Sequence, residues 1–200
     1  MASTKEGCTT RREFVERLTG TVIVGALIGI HSAEAVETTA GGEKLVAVCG
    51  LYCGACPMYI ATQQNSDEKL NALMKQFGAA FKKEDLLCDG CLGGGRLFSY
   101  CRKCAMRDCT ATKQSVKRCS DCSEFACSRI TNFNNDGMLH HSEVLANIRQ
   151  IKEMGMEKWT RHEEDRWHCS QCKTILSWYD PKCPKCGANR SERLFPLKKA

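Results

Sequence analysis

The chain has 200 residues, a formal net charge of +6 at pH 7, only 7% aromatic residues and 16 cysteines. Such a length suits one ordinary domain or two small ones. So few large apolar side chains exclude a fold held by a conventional core alone, and metal closure is the expected source of the missing folding energy. The basic excess is no argument for nucleic acid: four thiolates around a divalent ion carry about −2, and three such sites would cancel it. No stretch interleaves Lys or Arg with aromatics as a single-strand platform does. Mean hydropathy of −0.36 with 26% charged residues describes a soluble body.

At the amino terminus, Thr10-Arg11-Arg12-Glu13-Phe14-Val15 precedes a 13-residue apolar run, Leu18 to Ile30, and then Ala33-Glu34-Ala35. These are the three parts of a secretory signal. The arginine pair resembles the twin-arginine export signal, which implies passage in a folded state, commonly with a cofactor in place. Residues 1–35 are thus expected to be a signal peptide read by the twin-arginine export machinery and signal peptidase, giving a periplasmic or otherwise exported protein. The run is shorter than the roughly 20 apolar residues of a spanning helix, so no stable membrane span is expected after cleavage. Cys8 lies ahead of it and would leave with the signal.

A linker, 36–44, leads into a cysteine-rich domain expected over 45–135. Leu45 to Val48 reads as a short strand delivering Cys49. From Cys49 to Cys127 there are eleven cysteines in 79 residues. They run as Cys49, Cys53 and Cys56, then Cys88 and Cys91, then Cys101, Cys104 and Cys109, and finally Cys119, Cys122 and Cys127. A C-x-x-C pair sets two thiolates on one tight turn, within reach of one tetrahedral ion. A disulfide across such a pair would close a strained loop, and the fifteen cysteines after the signal are an odd number, so metal is preferred to a disulfide scaffold.

Between the pairs, Pro57 suits the first turn of a helix to Gln64. Ser66 caps a second, with Leu70, Leu73, Met74 and Phe77 as its apolar stripe and Gly78 as its end. Gly93-Gly94-Gly95 is a turn, since no Gly-Lys-Ser/Thr follows. Cys101/Cys104/Cys109 and Cys119/Cys122/Cys127 share C-x2-C-x4-C, which suggests two similar knuckles. The grouping drawn from spacing is Cys53/Cys56 with Cys88/Cys91, and Cys101/Cys104 with Cys119/Cys122. Cys49, Cys109 and Cys127 then remain for a third site with an outside or histidine ligand.

A helical connector is expected over 136–166. Val144, Leu145, Ile148 and Ile151 form one face of a helix from His140 to Met154 that stops at Gly155. His140 and His141 are candidates to complete a Cys3His site but are more simply exposed cap residues; His162 and His168 are read the same way. Glu163-Glu164-Asp165 reads as a solvated charged face. Residues 167–190 hold Cys169, Cys172, Cys183 and Cys186 around a strand-like stretch, Thr174 to Tyr179, before a tail, 191–200. Cys-Pro-Lys-Cys-Gly is the knuckle of a rubredoxin-like zinc ribbon, and four sulfurs with no open position describe a structural site.

From Cys49 to about Met154 the chain resembles the cysteine-rich family known as domain of unknown function 3795. The resemblance rests on Cys49-Gly-Leu-Tyr-Cys53-Gly-Ala-Cys56-Pro57, Cys88-Asp-Gly-Cys91 and the Cys101 to Cys127 repeat with its Glu-Phe-Ala-Cys ending. It implies a small metal-binding domain and carries no established reaction; a trailing zinc ribbon is similar to what relatives carry. The expected fold is small α+β, an irregular metal-stabilised cysteine-rich domain with a few helices and a C-terminal zinc ribbon. The expected function is the binding of several zinc ions, with an iron–sulfur redox or electron-transfer protein as the alternative. Cys49-x3-Cys53-x2-Cys56 also has radical S-adenosylmethionine spacing, but 45–155 lacks the length and alternation of that barrel. No catalytic constellation is recognised.

Overall fold

The computed structural model describes residues 42–78 and 80–197. The signal-like segment and most of the linker lie outside the described residues. Pro57 opens α1 (Pro57–Gln63), where its missing N–H falls among donors that have no intrahelical partner. Ser66 caps α2 (Asp67–Phe77): its hydroxyl accepts the Lys69 amide at 3.3 Å, with Asp67 and Glu68 in the first turn. The stripe of α2 buries Leu70 and half-buries Leu73, Met74 and Phe77 against the core. Four short pieces follow: α3 (Lys83–Leu86), α4 (Ser99–Arg102), α5 (Ala105–Ala111) and α6 (Ser128–Asn134). Helices this short do not hold alone in water, so their stability comes from what they pack against.

The helix expected from His140 begins later. Leu139–Glu143 is a 3-10 turn in which Ser142 donates to the Leu139 carbonyl at 2.6 Å, and His141 pairs with Asp136 at 2.7 Å. Side chains that satisfy the backbone locally favour such a turn over a continuous helix. Then α7 (Val144–Met154) buries Val144, Asn147, Ile148 and Ile151, and Gly155 at φ +85° separates it from α8 (Met156–Arg166). Left-handed backbone at that step is open to glycine without steric penalty.

The β half of the expected α+β class is reduced to three isolated antiparallel bridges among the described residues. Val46 bridges Tyr52 once, because Gly50 at φ +83° turns the chain straight back, with the Ala47 amide donating to the Leu51 carbonyl at 2.9 Å. Near the C-terminus, the Cys169 amide donates to Thr174 and the Leu176 amide to Trp167, at 2.9 and 2.7 Å. The ladder then ends: the next inward amide, that of Trp178, donates to the Ala55 carbonyl instead, at 2.9 Å. The molecule is therefore small and mostly helical, with irregular cysteine-bearing loops.

Residues 46–56 are buried without interruption. They are covered by α7 and α8: the Asn147 side chain donates to the Gly50 carbonyl at 3.0 Å, and Tyr52 meets Trp159 edge-on at 6.5 Å between ring centres. Cys49, Cys53 and Cys56 thus project from continuously buried backbone.

The acidic run of α8 is not wholly a solvated face. Glu164 and Asp165 are exposed, but Glu163 is only 1% exposed. Its carboxylate accepts from Arg166 at 3.1 and 3.2 Å and from the Trp167 indole at 3.1 Å, and Arg166 also binds Glu143. Arg166 donates in addition to the Arg193 carbonyl at 2.8 Å, so the C-terminal tail is docked, with Leu194 and Phe195 buried.

Candidate metal centre

Four sulfurs at the C-terminal end converge. Cys169, Cys172, Cys183 and Cys186 have their Sγ atoms all within 4.8 Å of one another. Cys169 lies 3.7 Å from Cys186, and Cys172 lies 3.5 Å from Cys183. A tetrahedron of sulfurs about 2.3 Å from a central ion has edges of about 3.8 Å, whereas a disulfide needs about 2.05 Å. The quartet therefore has the dimensions of a metal cage, and it can hold an ion.

Local backbone builds that cage. The Gly187 amide donates to the Cys183 carbonyl at 3.0 Å and the Cys183 amide to the Ala188 carbonyl at 2.8 Å, closing one knuckle; the Lys173 amide donates to the Cys169 carbonyl at 2.9 Å in the other. The Cys172 thiol is drawn down to about 6, chiefly by the Thr174 hydroxyl 3.3 Å away and then by the Thr174 amide. The amides of Cys172 and Gln171 lower Cys169. Cys186 is pushed up to about 12: the Ala188 amide pulls the other way, but the thiols of Cys172, Cys183 and Cys169 together with burial outweigh it. Four thiols this close cannot all ionise unless a cation joins them.

The eleven upstream cysteines are free thiols, as are the four at the C-terminus. Among the described residues, no upstream set of three ligand atoms lies mutually within 4.8 Å. They nevertheless fall into two neighbourhoods. One surrounds Cys53 and Cys101: burial raises Cys53, and it faces Cys91, Cys56 and Cys88, while burial raises Cys101, which faces Cys56, Cys88, Cys91 and Cys104. Burial likewise raises Cys49, near Cys91, Cys104 and Cys119, and sends Cys56 to about 12. The second surrounds Cys119, pushed up to about 12 by burial and then by Cys127, Cys109 and Cys122, with Cys104 adding the least. Cys101 thus sits with the early cysteines and Cys109 with the late ones, while Cys49 and Cys104 of the first group also neighbour Cys119. The C-x2-C-x4-C repeat does not fold as two equivalent knuckles.

Among the described residues, no histidine joins the sulfur quartet. His140 stacks on Trp178 at 4.2 Å, with its Nδ1 2.5 Å from the Tyr179 hydroxyl. It is no exposed cap, and burial drives it down to about 3. His141 is held by Asp136, His162 lies 3.3 Å from Glu163, and His168 meets the Glu164 carbonyl.

Two cations against sulfur were not picked out from sequence. Arg107 Nη1 lies 3.4 Å from Cys91 Sγ, and Lys113 Nζ lies 3.7 Å from Cys122 Sγ. Their signal was there to be read, as basic residues placed inside the cysteine run.

Residues 45–132 match the model of a family described as protein of unknown function (DUF3795). The match supports the DUF3795 family for this segment. It spans all eleven upstream cysteines and stops well short of Cys169, so the C-terminal quartet lies outside the DUF3795 match. No curated protein and no solved structure matches the chain.

Proposed function

We propose that this is an exported zinc protein, of binding or scaffold type, in which Cys169, Cys172, Cys183 and Cys186 hold one structural ion and the upstream cysteines hold others. The observation that carries the reading is the near-tetrahedral spacing of the C-terminal sulfurs, 3.5 and 3.7 Å across two of its edges. Four thiolates with no open position suit zinc in a structural role. Capped by metal before leaving the cytoplasm, the thiols would escape disulfide scrambling in an oxidising compartment. That requirement fits the twin-arginine pattern at Arg11 and Arg12, and among the described residues no helix is long and apolar enough to cross a membrane.

The test is zinc content by elemental mass spectrometry on anaerobically purified full-length chain. The expected result is at least one zinc per chain, with one ion lost in Cys172→Ser; a zinc-free wild-type protein sinks the reading. Export is tested separately by cell fractionation, where replacing Arg11 and Arg12 by lysine should hold the protein in the cytoplasm.

One observation favours an iron–sulfur reading for the upstream domain. Its first neighbourhood gathers seven cysteines, more than one tetrahedral ion uses, and Cys49, Cys53, Cys56 and Cys88 are buried. The Cys91 amide also points at Cys53 Sγ from 3.5 Å, as amides do toward cluster ligands. Visible absorption that bleaches on reduction would support a cluster there, and a colourless protein rejects it.

A further inference from the structure

The second sulfur neighbourhood is walled as well as clustered. Cys109, Cys119, Cys122 and Cys127 line one cavity of about 30 Å³ whose remaining lining is mostly apolar. A single water needs about 10–15 Å³ on that measure, so the space admits an ion. The four cysteines reach it from three separate pieces of backbone. Cys109 comes from the last turn of α5, Cys119 and Cys122 from the 3-10 knuckle whose Cys122 amide donates to the Cys119 carbonyl at 3.3 Å, and Cys127 from the residue ahead of α6.

We infer that Cys109, Cys119, Cys122 and Cys127 form a second metal site, separate from the C-terminal quartet, that takes a soft divalent cation of the zinc class. The inference rests on the metal-binding reading above and deepens it, because spacing alone had divided these four among different sites. Two cations border the same cavity, Lys113 and Arg129. Lys113 stands 3.7 Å from Cys122 Sγ while pairing with Glu124 at 2.6 Å. Around a four-thiolate ion with a net charge of about −2, an ammonium within reach of a ligand sulfur is a favourable neighbour, even where it also pairs with a carboxylate. The four cysteines line the cavity without three of their sulfurs closing to 4.8 Å, so binding an ion requires the sulfurs to draw together. This differs from the C-terminal cage, which is already closed.

The test uses the full-length chain, loaded with zinc anaerobically and weighed by native mass spectrometry. Wild type should carry an ion that Cys122→Ser loses and Cys172→Ser keeps, with the double variant losing both. Cys109→His guards against misfolding of the serine variant: it should retain the zinc count and, after cobalt substitution, show sulfur-to-cobalt charge-transfer absorption weaker by one thiolate ligand than wild type. Should Cys122→Ser and Cys109→His leave both the ion count and the cobalt spectrum as in wild type, or should the ion lost in Cys122→Ser be lost equally in Cys101→Ser, the assignment is overturned. A wild type holding only the ion that Cys172→Ser removes defeats the second site while leaving the metal-binding reading intact; a wild type with no zinc defeats both.

Discussion

Replacing Glu163 by alanine is expected to cost far more than replacing its neighbour Glu164, although the two look alike in sequence. Glu163 is 1% exposed and accepts three hydrogen bonds, two from Arg166 and one from the Trp167 indole. Removing one partner of a buried ion pair costs about 3–5 kcal/mol when the other charge is stranded. Arg166 is not stranded, since Glu143 and the Arg193 carbonyl still hold it. The charge contribution therefore falls below that range. The indole N–H, however, loses its acceptor in a buried setting, at about 1–3 kcal/mol. Together these give roughly 3 kcal/mol, which for a chain of this size lowers Tm by about 6–12 °C. Glu163→Gln, which can still accept from the indole, should lose about half as much. The assay is thermal unfolding of zinc-loaded full-length chain by circular dichroism, with Glu164→Ala as reference, expected within about 0.5 kcal/mol of wild type. Equal midpoints for Glu163→Ala and Glu164→Ala would show that the buried network contributes nothing.

Gly50→Ala should destabilise by about 1–3 kcal/mol, read from chemical denaturation, because a Cβ there would sit 2.8 Å from Ile148 Cγ1 on backbone at φ +83°; an unchanged midpoint refutes the close packing of α7 on the first cysteine turn. His140 titrates at about 3 in the fold, against about 6.5 in an unfolded chain, so between those values the unfolded state binds the extra proton. Stability should accordingly fall as pH drops through that window, by at most about 1.4 kcal/mol per pH unit, and His140→Phe should show a shallower fall; parallel profiles for the two proteins contradict the burial. Stripping zinc with a strong chelator should lower the unfolding midpoint and shift tryptophan emission to the red, since Trp167 and Trp178 are buried within the segment that carries the C-terminal quartet. Emission that stays fixed once the metal is gone would separate the cage from the packing around it.

Local chemistry was legible from the chain alone. Pro57, the Ser66 cap, the end at Gly78 and the apolar face of α7 lie where their residue types require, because each depends on neighbours within a turn or two. The C-terminal quartet was legible for the same reason: two C-x-x-C turns ten residues apart have few ways to meet. The strands were overread, since β-rich composition says that Thr174 to Tyr179 can pair but not that Trp178 will bond to Ala55 instead.

Residue types and their spacing determined, without coordinates, that sulfur dominates this protein and that two short helices, opened by Pro57 and capped by Ser66, separate Cys56 from Cys88. The short helices around the Cys101 to Cys127 run, where spacing suggests only knuckles, came from the structure. Only the tertiary structure decided which sulfurs are neighbours, that Cys109 stands with Cys119 rather than with Cys101, and that one of three consecutive acids is buried. The reason is physical: capping and turn preferences act over a few residues, whereas ligand sharing and burial depend on which distant segments are pressed together, and any pair of like cysteines reads the same until they are.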